Sequence, residues 1–203
     1  MLTEYEKFYY EQKTRSFDIS NLFDPFGREK GIRRFGFSIL TKEAIDQLQK
    51  YAPFIEVGAG TGYWAYEMKK RDIDIIATDL KNMKNNKYKF QKEWTPIKCM
   101  TASQAIRKYP NRTLLMVWPC YSKSWGYKAL KGYKGNTFVY CGEGHGGCTA
   151  DDAFHELLEE EWKEHTDIPI PQWGGIHDYL TVFTREKIMR NTLRINSVHL
   201  LMV

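Results

Sequence analysis

Phe54-Ile55-Glu56-Val57-Gly58-Ala59-Gly60-Thr61-Gly62 decides how this chain folds. An apolar run with one acid leads into a loop that has glycine at every second position. A short apolar run closed by turn residues reads as a buried strand. The residues from Gly62 to Arg71 then read as a helix. In an open α/β sheet, a strand–turn–helix unit of this kind is where a ligand settles. Glycine suits the turn because the backbone bends sharply and a ligand can lie against it with no Cβ in the way.

The spacing narrows the choice of ligand. A dinucleotide fingerprint needs Gly-x-Gly-x-x-Gly. Counted from Gly58 the third glycine falls on Tyr63, and counted from Gly60 it falls on Ala65. A phosphate-cradling loop needs Gly-Lys-Ser/Thr after its glycines, and none follows here. What remains is acid-x-Gly-x-Gly-x-Gly. The next strand signal, Ile73 to Asp79, ends in a carboxylate. A carboxylate there can accept two hydrogen bonds from ribose hydroxyls.

Outward from this unit, Thr41 predicts a helix cap, with Ala44, Ile45 and Leu48 on one face before Pro53. Pro96 to Met100 reads as a weak strand, Ser103 to Lys108 as a short helix, and Thr113 to Val117 as the most apolar strand. A helix from Ser124 to Tyr133 and a strand from Thr137 to Tyr140 follow. Asp151 to His165 reads as one helix, with Phe154, Leu157, Leu158 and Trp162 on its apolar face. Ile168 to Pro171 and Tyr179 to Thr184, linked through Gly174-Gly175, suit a closing hairpin. Alternating strands and helices imply a doubly wound, mostly parallel α/β sheet. We expect seven strands with the last antiparallel. Residues 1–36 read as a helical arm or cap, with a break at Asp24-Pro25-Phe26-Gly27, and 37–203 as the ligand-binding domain.

Composition agrees with a folded chain of one main domain. The 203 residues are 42% apolar, 27% charged and 15% aromatic, which excludes disorder as the main state. No stretch reaches the roughly 18 apolar residues of a membrane helix. The polar start, Met1 to Glu6, does not read as a secretory signal. With Cys99, Cys120, Cys141 and Cys148 read as free thiols, the expectation is a cytoplasmic protein. The net charge of +5 permits an anionic partner without demanding one.

The glycine loop and Asp79 resemble motifs I and II of class I S-adenosylmethionine-dependent methyltransferases. The stretch from Phe37 to Trp162 is also similar to a group of methyltransferase-like proteins. These share the loop read here from Gly58 to Trp64, a Trp-Pro-Pro-Tyr strand end (here Trp118 to Tyr121, with Cys120 in the third place), and a glycine-rich turn before an acidic helix (Gly142 to Thr149). The resemblance implies a Rossmann-like methyltransferase fold and S-adenosyl-L-methionine as cofactor. It implies cofactor contacts from Glu56 near the amino-acid end, Gly58, Ala59, Gly60, Thr61 and Gly62 along the loop, and Asp79 and Leu80 at the ribose. Thr101 and Ala102 stand where such proteins contact adenine, with Trp118 beside the sulfonium.

Amino-methylating members of the family carry Asp/Asn/Ser-Pro-Pro-Tyr after the fourth strand. This chain keeps Pro119 and Tyr121 but has Trp118 and Cys120 in the other two places. An indole N–H only donates, so Trp118 cannot take a proton from an amino substrate. An aromatic wall of Trp118, Pro119 and Tyr121 remains, and aromatic faces favour a cation. If the reaction uses a general base, Glu143 or His145 is the candidate, with Asp151, His155 and His177 as further residues for the cleft rim. His199 reads as structural. Phe35, Phe37 and Trp64 read as a lid or as core. Cys141-x3-His145-x2-Cys148 falls short of a four-ligand metal set, so no metal is expected.

The methyl acceptor is left open among small molecule, protein and RNA, as is the oligomeric state. Two rival readings stand beside the enzyme. One is a non-catalytic module that binds S-adenosylmethionine. The other is an RNA or DNA methyltransferase, suggested by Pro119, Tyr121 and the basic run Lys81, Lys84, Lys87, Lys89 and Lys92, with Arg28, Lys30, Arg33 and Arg34 as a possible phosphate surface.

Overall fold

The structure is a computed structural model, and it describes residues 1–15, 25–80 and 87–185. Asp24, Lys81, Lys84 and His199, singled out above, lie outside the described residues. Seven strands form one sheet: β1 (Phe54–Val57), β2 (Ile75–Asp79), β3 (Lys98–Cys99), β4 (Thr113–Val117), β5 (Thr137–Gly142), β6 (Trp162–Ile168) and β7 (Tyr179–Arg185). Their order is β3-β2-β1-β4-β5-β7-β6. β1 to β5 pair in parallel, and β7 runs antiparallel to both β5 and β6. The expected doubly wound sheet with an antiparallel last strand is present.

The helices are α1 (Glu4–Arg15), α2 (Pro25–Arg34), α3 (Lys42–Leu48), α4 (Tyr63–Lys69), α5 (Ala102–Lys108), α6 (Trp125–Gly132) and α7 (Asp152–Glu161). Central strands are mostly apolar because both faces are covered, with Glu56 of β1 a buried exception. Successive side chains alternate between faces. Phe54, Leu115, Val139 and Cys141 therefore join α1, α3 and α4 in one core. Ile55, Val57, Leu114, Met116, Phe138 and Tyr140 join α5, α6 and α7 in the other. Thr41 caps α3 by accepting a hydrogen bond from Ala44 N, as expected. Thr101 and Gln104 form a reciprocal capping box at α5.

The end of the chain corrects the sequence reading. The last long helix stops at Glu161 instead of His165, and Trp162 begins β6. Glu159, Glu160 and Glu161 fill the negative end of the helix dipole with no basic residue to offset them. Pairing with β7 then captures 162–168, a tertiary contact that local periodicity does not report. Trp162 stays buried, stacked near Tyr133 with the Arg185 guanidinium over its ring. The closing hairpin exists, but residues 169–178 connect its strands, a longer path than the Gly174-Gly175 turn expected.

The N-terminal helices pack into the same body. Tyr5 and Tyr9 belong to the core, Thr3 Oγ1 donates to Leu40 O, and Tyr5 N donates to Tyr63 Oη at 2.8 Å. The buried Glu67 carboxylate of α4 accepts from Tyr63 Oη and pairs with Arg71 at 2.6 Å. Of the three residues weighed as lid or core, Phe35 and Trp64 are buried in the core, while Phe37 is half-buried. Among the described residues no helix is long and apolar enough to cross a membrane.

Candidate functional site

The strand order reverses between β1 and β4, and a crevice opens at the carboxyl ends of the strands there, as the topology requires. Its volume is about 580 Å³, within the range of small-molecule sites. The glycine loop makes its floor. Gly58, Gly60 and Gly62 all have left-handed φ, at +72°, +56° and +71°. Ala59 N bonds to Thr78 O, and Gly62 N bonds to Ala59 O. A Cβ on Gly58 would stand 2.8 Å from the Trp125 ring, and one on Gly60 would stand 3.2 Å from Phe90. The loop is therefore bare where it meets the crevice.

Glu56 sits in the crevice wall, 2% exposed, and among the described residues its Oε2 has no hydrogen-bond partner. An orphaned buried acceptor costs about 1–3 kcal/mol, more if charged. Burial, followed by the neighbouring Asp79 charge, pushes its carboxyl up to about 8, against the opposing pull of Lys69 and the Ala65 N–H. The wall thus presents a carboxyl that lacks a cationic donor. Asp79, at the end of β2, accepts from Gly60 N at 2.9 Å, so the second-strand acid and the loop are tied together.

Ala59, Thr61, Leu80, Thr101 and Ala102 also line the crevice. The Thr61 hydroxyl, however, donates to Phe35 O at 2.6 Å and so anchors the loop to the segment after α2. The Thr101 hydroxyl belongs to the cap of α5. Leu80 is exposed at the rim.

The opposite wall is aromatic. Trp118 has φ +52°, a left-handed conformation that is a real outlier for a bulky residue. Its N–H bonds to Cys141 O at 2.7 Å, and its ring stacks on Phe37 at 5.2 Å and 8°. The Arg28 guanidinium lies 5.7 Å from its centre. Tyr88 meets Phe37 edge-on, and its hydroxyl lies 3.4 Å from Cys120 Sγ. Strain of this kind persists only where surroundings over-determine it, and it clusters at functional sites.

Pro119, Tyr121 and Glu143, the other residues suggested for the transfer site, are not among the crevice-lining residues. Tyr121 is 64% exposed. Pro119 O accepts from Ala150 N, and Ser122 N donates to Ala150 O. The turn from Gly142 to Thr149 therefore braces the loop after Trp118. Glu143 organises that turn: its oxygens accept from Cys148 N at 2.7 Å and His177 N at 3.0 Å. Burial pushes its carboxyl up, but the His177 and Cys148 donors outweigh burial and hold it below the usual range. Such a carboxylate is a staple and a poor proton acceptor near neutral pH.

His145 faces Asp152 and Glu159 across a separate small cavity, also lined by His155. Asp151 caps α7, and His155 Nε2 bonds with Thr149 O. Cys141 is buried and Cys148 exposed. Among the described residues no three His, Cys, Asp or Glu are grouped to hold a metal.

Sequence reading missed Met100, Lys123 and Trp125 as crevice residues. Tyr88 and Phe90, which fall within the basic run between Lys81 and Lys92, line the crevice as well. Trp125 opens α6 and touches Gly58 only because α6 packs back across β4, so no local signal marks it.

No protein-family model matches the chain, and no curated protein matches it. Solved structures similar in chain path include three methyltransferases. The 1,6-didemethyltoxoflavin-N1-methyltransferase of Burkholderia thailandensis, bound to its substrate and S-adenosylhomocysteine, is 13% identical, with 90% of this chain and 89% of that one covered and a TM-score of 0.48. A TehB-like methyltransferase of Corynebacterium glutamicum is 16% identical over 88% of this chain and 97% of its own, with a TM-score of 0.47. The magnesium protoporphyrin IX methyltransferase of Synechocystis, with bound S-adenosylmethionine, is 9% identical over 70% and 78%, with a TM-score of 0.47. At these identities the chemistry of the crevice has to be argued from its own residues.

Proposed function

We propose that the crevice binds S-adenosyl-L-methionine and that the chain is a methyltransferase dependent on it. One observation carries the reading: a buried carboxyl oxygen of Glu56, without a partner among the described residues, borders a bare glycine loop that is tied to the acid ending the next strand. A ligand with an ammonium group and vicinal ribose hydroxyls satisfies both acids at once. A pyrophosphate offers no donor to Glu56 and would bring negative charge against Asp79.

Glu56 would hold the ammonium, Asp79 the ribose, and Met100, Thr101 and Ala102 the adenine edge. When bound, the cofactor supplies an electrophilic methyl group. The protein's part is placement and exclusion of water: Trp118, Phe37 and Tyr88 form an apolar wall against which an acceptor can be held in line. Glu143 supports that wall from behind and is not assigned proton transfer.

Calorimetry with S-adenosylmethionine and S-adenosylhomocysteine tests the reading. Binding of both is expected, and Asp79→Asn should weaken it about 10- to 100-fold, the loss of hydrogen bonds to a charged group. Binding of a dinucleotide in place of both compounds would refute it. The rival reading as a non-catalytic module is separated by labelled-methyl transfer into fractionated cell extract.

A further inference from the structure

The net charge of +5 conceals a strongly divided chain. Between Leu80 and Gly142 stand thirteen Lys and Arg but only one acid, Glu93. The remainder of the chain carries more acids than bases. The described residues of the basic stretch supply β3, α5, α6 and loops at the crevice mouth, toward the β3 edge of the sheet. The acids of β6 lie at the opposite edge, and acidic α7 packs on the far flank of α6.

Among the described residues of this stretch, Lys87, Lys89, Lys92, Lys98, Arg107, Lys108, Lys123, Lys128, Lys131 and Lys134 are exposed, and only Arg112 forms an ion pair, with Asp74. The positive charge is therefore uncommitted. α5 packs on α6. Lys123 stands at the mouth two residues before α6, and Lys128 and Lys131 continue the charge along that helix.

Rings are interleaved with the cations. Lys98 and Lys108 lie over Tyr109, Lys131 over Tyr127, and Lys87 over Tyr88. Tyr121, next in the chain to crevice-lining Cys120, is exposed. Lys87 and Lys123 border the crevice, and among the described residues its lining carboxylates are Glu56 and Asp79, on the side of the glycine loop.

We propose that this basic face binds single-stranded nucleic acid and delivers an unstacked base to the aromatic wall of Trp118, Phe37 and Tyr88. The proposal rests on the cofactor reading above and names its substrate class. Phosphates match the unpaired lysines, and bases match the rings, which offer stacking without demanding a sequence. A base still inside a duplex cannot reach a crevice of this kind. An ammonium acceptor, which the rings alone would favour, is opposed by Lys87, Lys123 and Arg28. A membrane surface is opposed by the scarcity of exposed apolar side chains here, which among the described residues are Leu80 and Tyr121.

The test is fluorescence anisotropy of short labelled RNA and DNA strands with the full chain, across a salt series. Affinity should fall with salt at a log–log slope of about −0.7 per phosphate contacted, so about −2 or steeper for three or more contacts. Arg107→Glu combined with Lys108→Glu should weaken binding about 10-fold or more and flatten the slope. Lys131→Gln, a milder surface change, should act in the same direction by about 3-fold. The RNA and DNA arms decide which strand is preferred. A strand with abasic sites should bind less well than its intact counterpart.

A slope near zero, unchanged affinity in folded charge variants, equal binding of the abasic strand, or preference for duplex overturns the proposal. A cofactor titration on the same preparation keeps the two readings apart. Cofactor binding without strand binding sinks only this inference, and strand binding without cofactor sinks only the methyltransferase reading.

Discussion

Replacing Glu56 with Gln should change how stability depends on pH. The carboxyl is buried, and its folded value is raised from an ordinary 4.5 to about 8. An unfolded chain ionises this group above about 4.5, whereas the folded chain holds the proton until about 8. Within that window the folded state binds more protons, so stability falls as pH rises. At about 1.4 kcal/mol per unit, the group's cost approaches on the order of 5 kcal/mol above pH 8. Gln is nearly isosteric and stays neutral, so the cost disappears.

Urea unfolding without ligand, from pH 5 to 9, measures the difference between the two proteins. They should be similarly stable near pH 5, and the variant should be the more stable by several kcal/mol at pH 9. Asp178 also titrates high, at about 6, through burial. It is present in both proteins and drops out of the difference. Parallel curves would refute the claim that Glu56 is buried without a cation. With S-adenosylmethionine present the order should reverse, because the ammonium then pairs with the carboxylate of the native protein and finds a weaker partner in Gln.

Gly58→Ala should abolish cofactor binding, since its Cβ meets Trp125 at 2.8 Å and its φ is +72°. Gly146→Ala has a similar φ but open space around it, so it should cost only the backbone strain, about 1–2 kcal/mol, with binding intact by calorimetry. Glu143→Gln should lower stability by about 1–3 kcal/mol, because one of two amide donors loses its acceptor. The shape of the pH–rate profile should not change, whereas loss of a limb would restore Glu143 as a base. Glu67→Ala should destabilise by about 3 kcal/mol in urea melts, since it strands Arg71 and the Tyr63 hydroxyl beside a buried gap. Cofactor affinity per folded molecule should not change.

The sequence by itself determined the parallel core of the sheet and the glycine-loop half of the crevice. Phe54 to Gly62 and the strand ending in Asp79 are contiguous signals, because a strand must end and a helix must begin within a few residues there. Glycine spacing reports that geometry directly, and the alternation of strands with helices leaves few topologies. The tertiary structure decided the rest. Trp125, Met100 and Lys123 reach the crevice only through the packing of helices and loops around the sheet. Glu143 lies in a glycine-rich turn that reads as catalytic, yet two backbone N–H groups, one from its own turn at Cys148 and one from the distant His177, take its oxygens. β6 was hidden inside a helical pattern, because a strand held by pairing with β7 owes its existence to a neighbour and not to its own residues. Contacts made across the fold leave no periodic trace along the chain, so the aromatic wall and the divided charge take on a shape only when the sheet has brought their parts together.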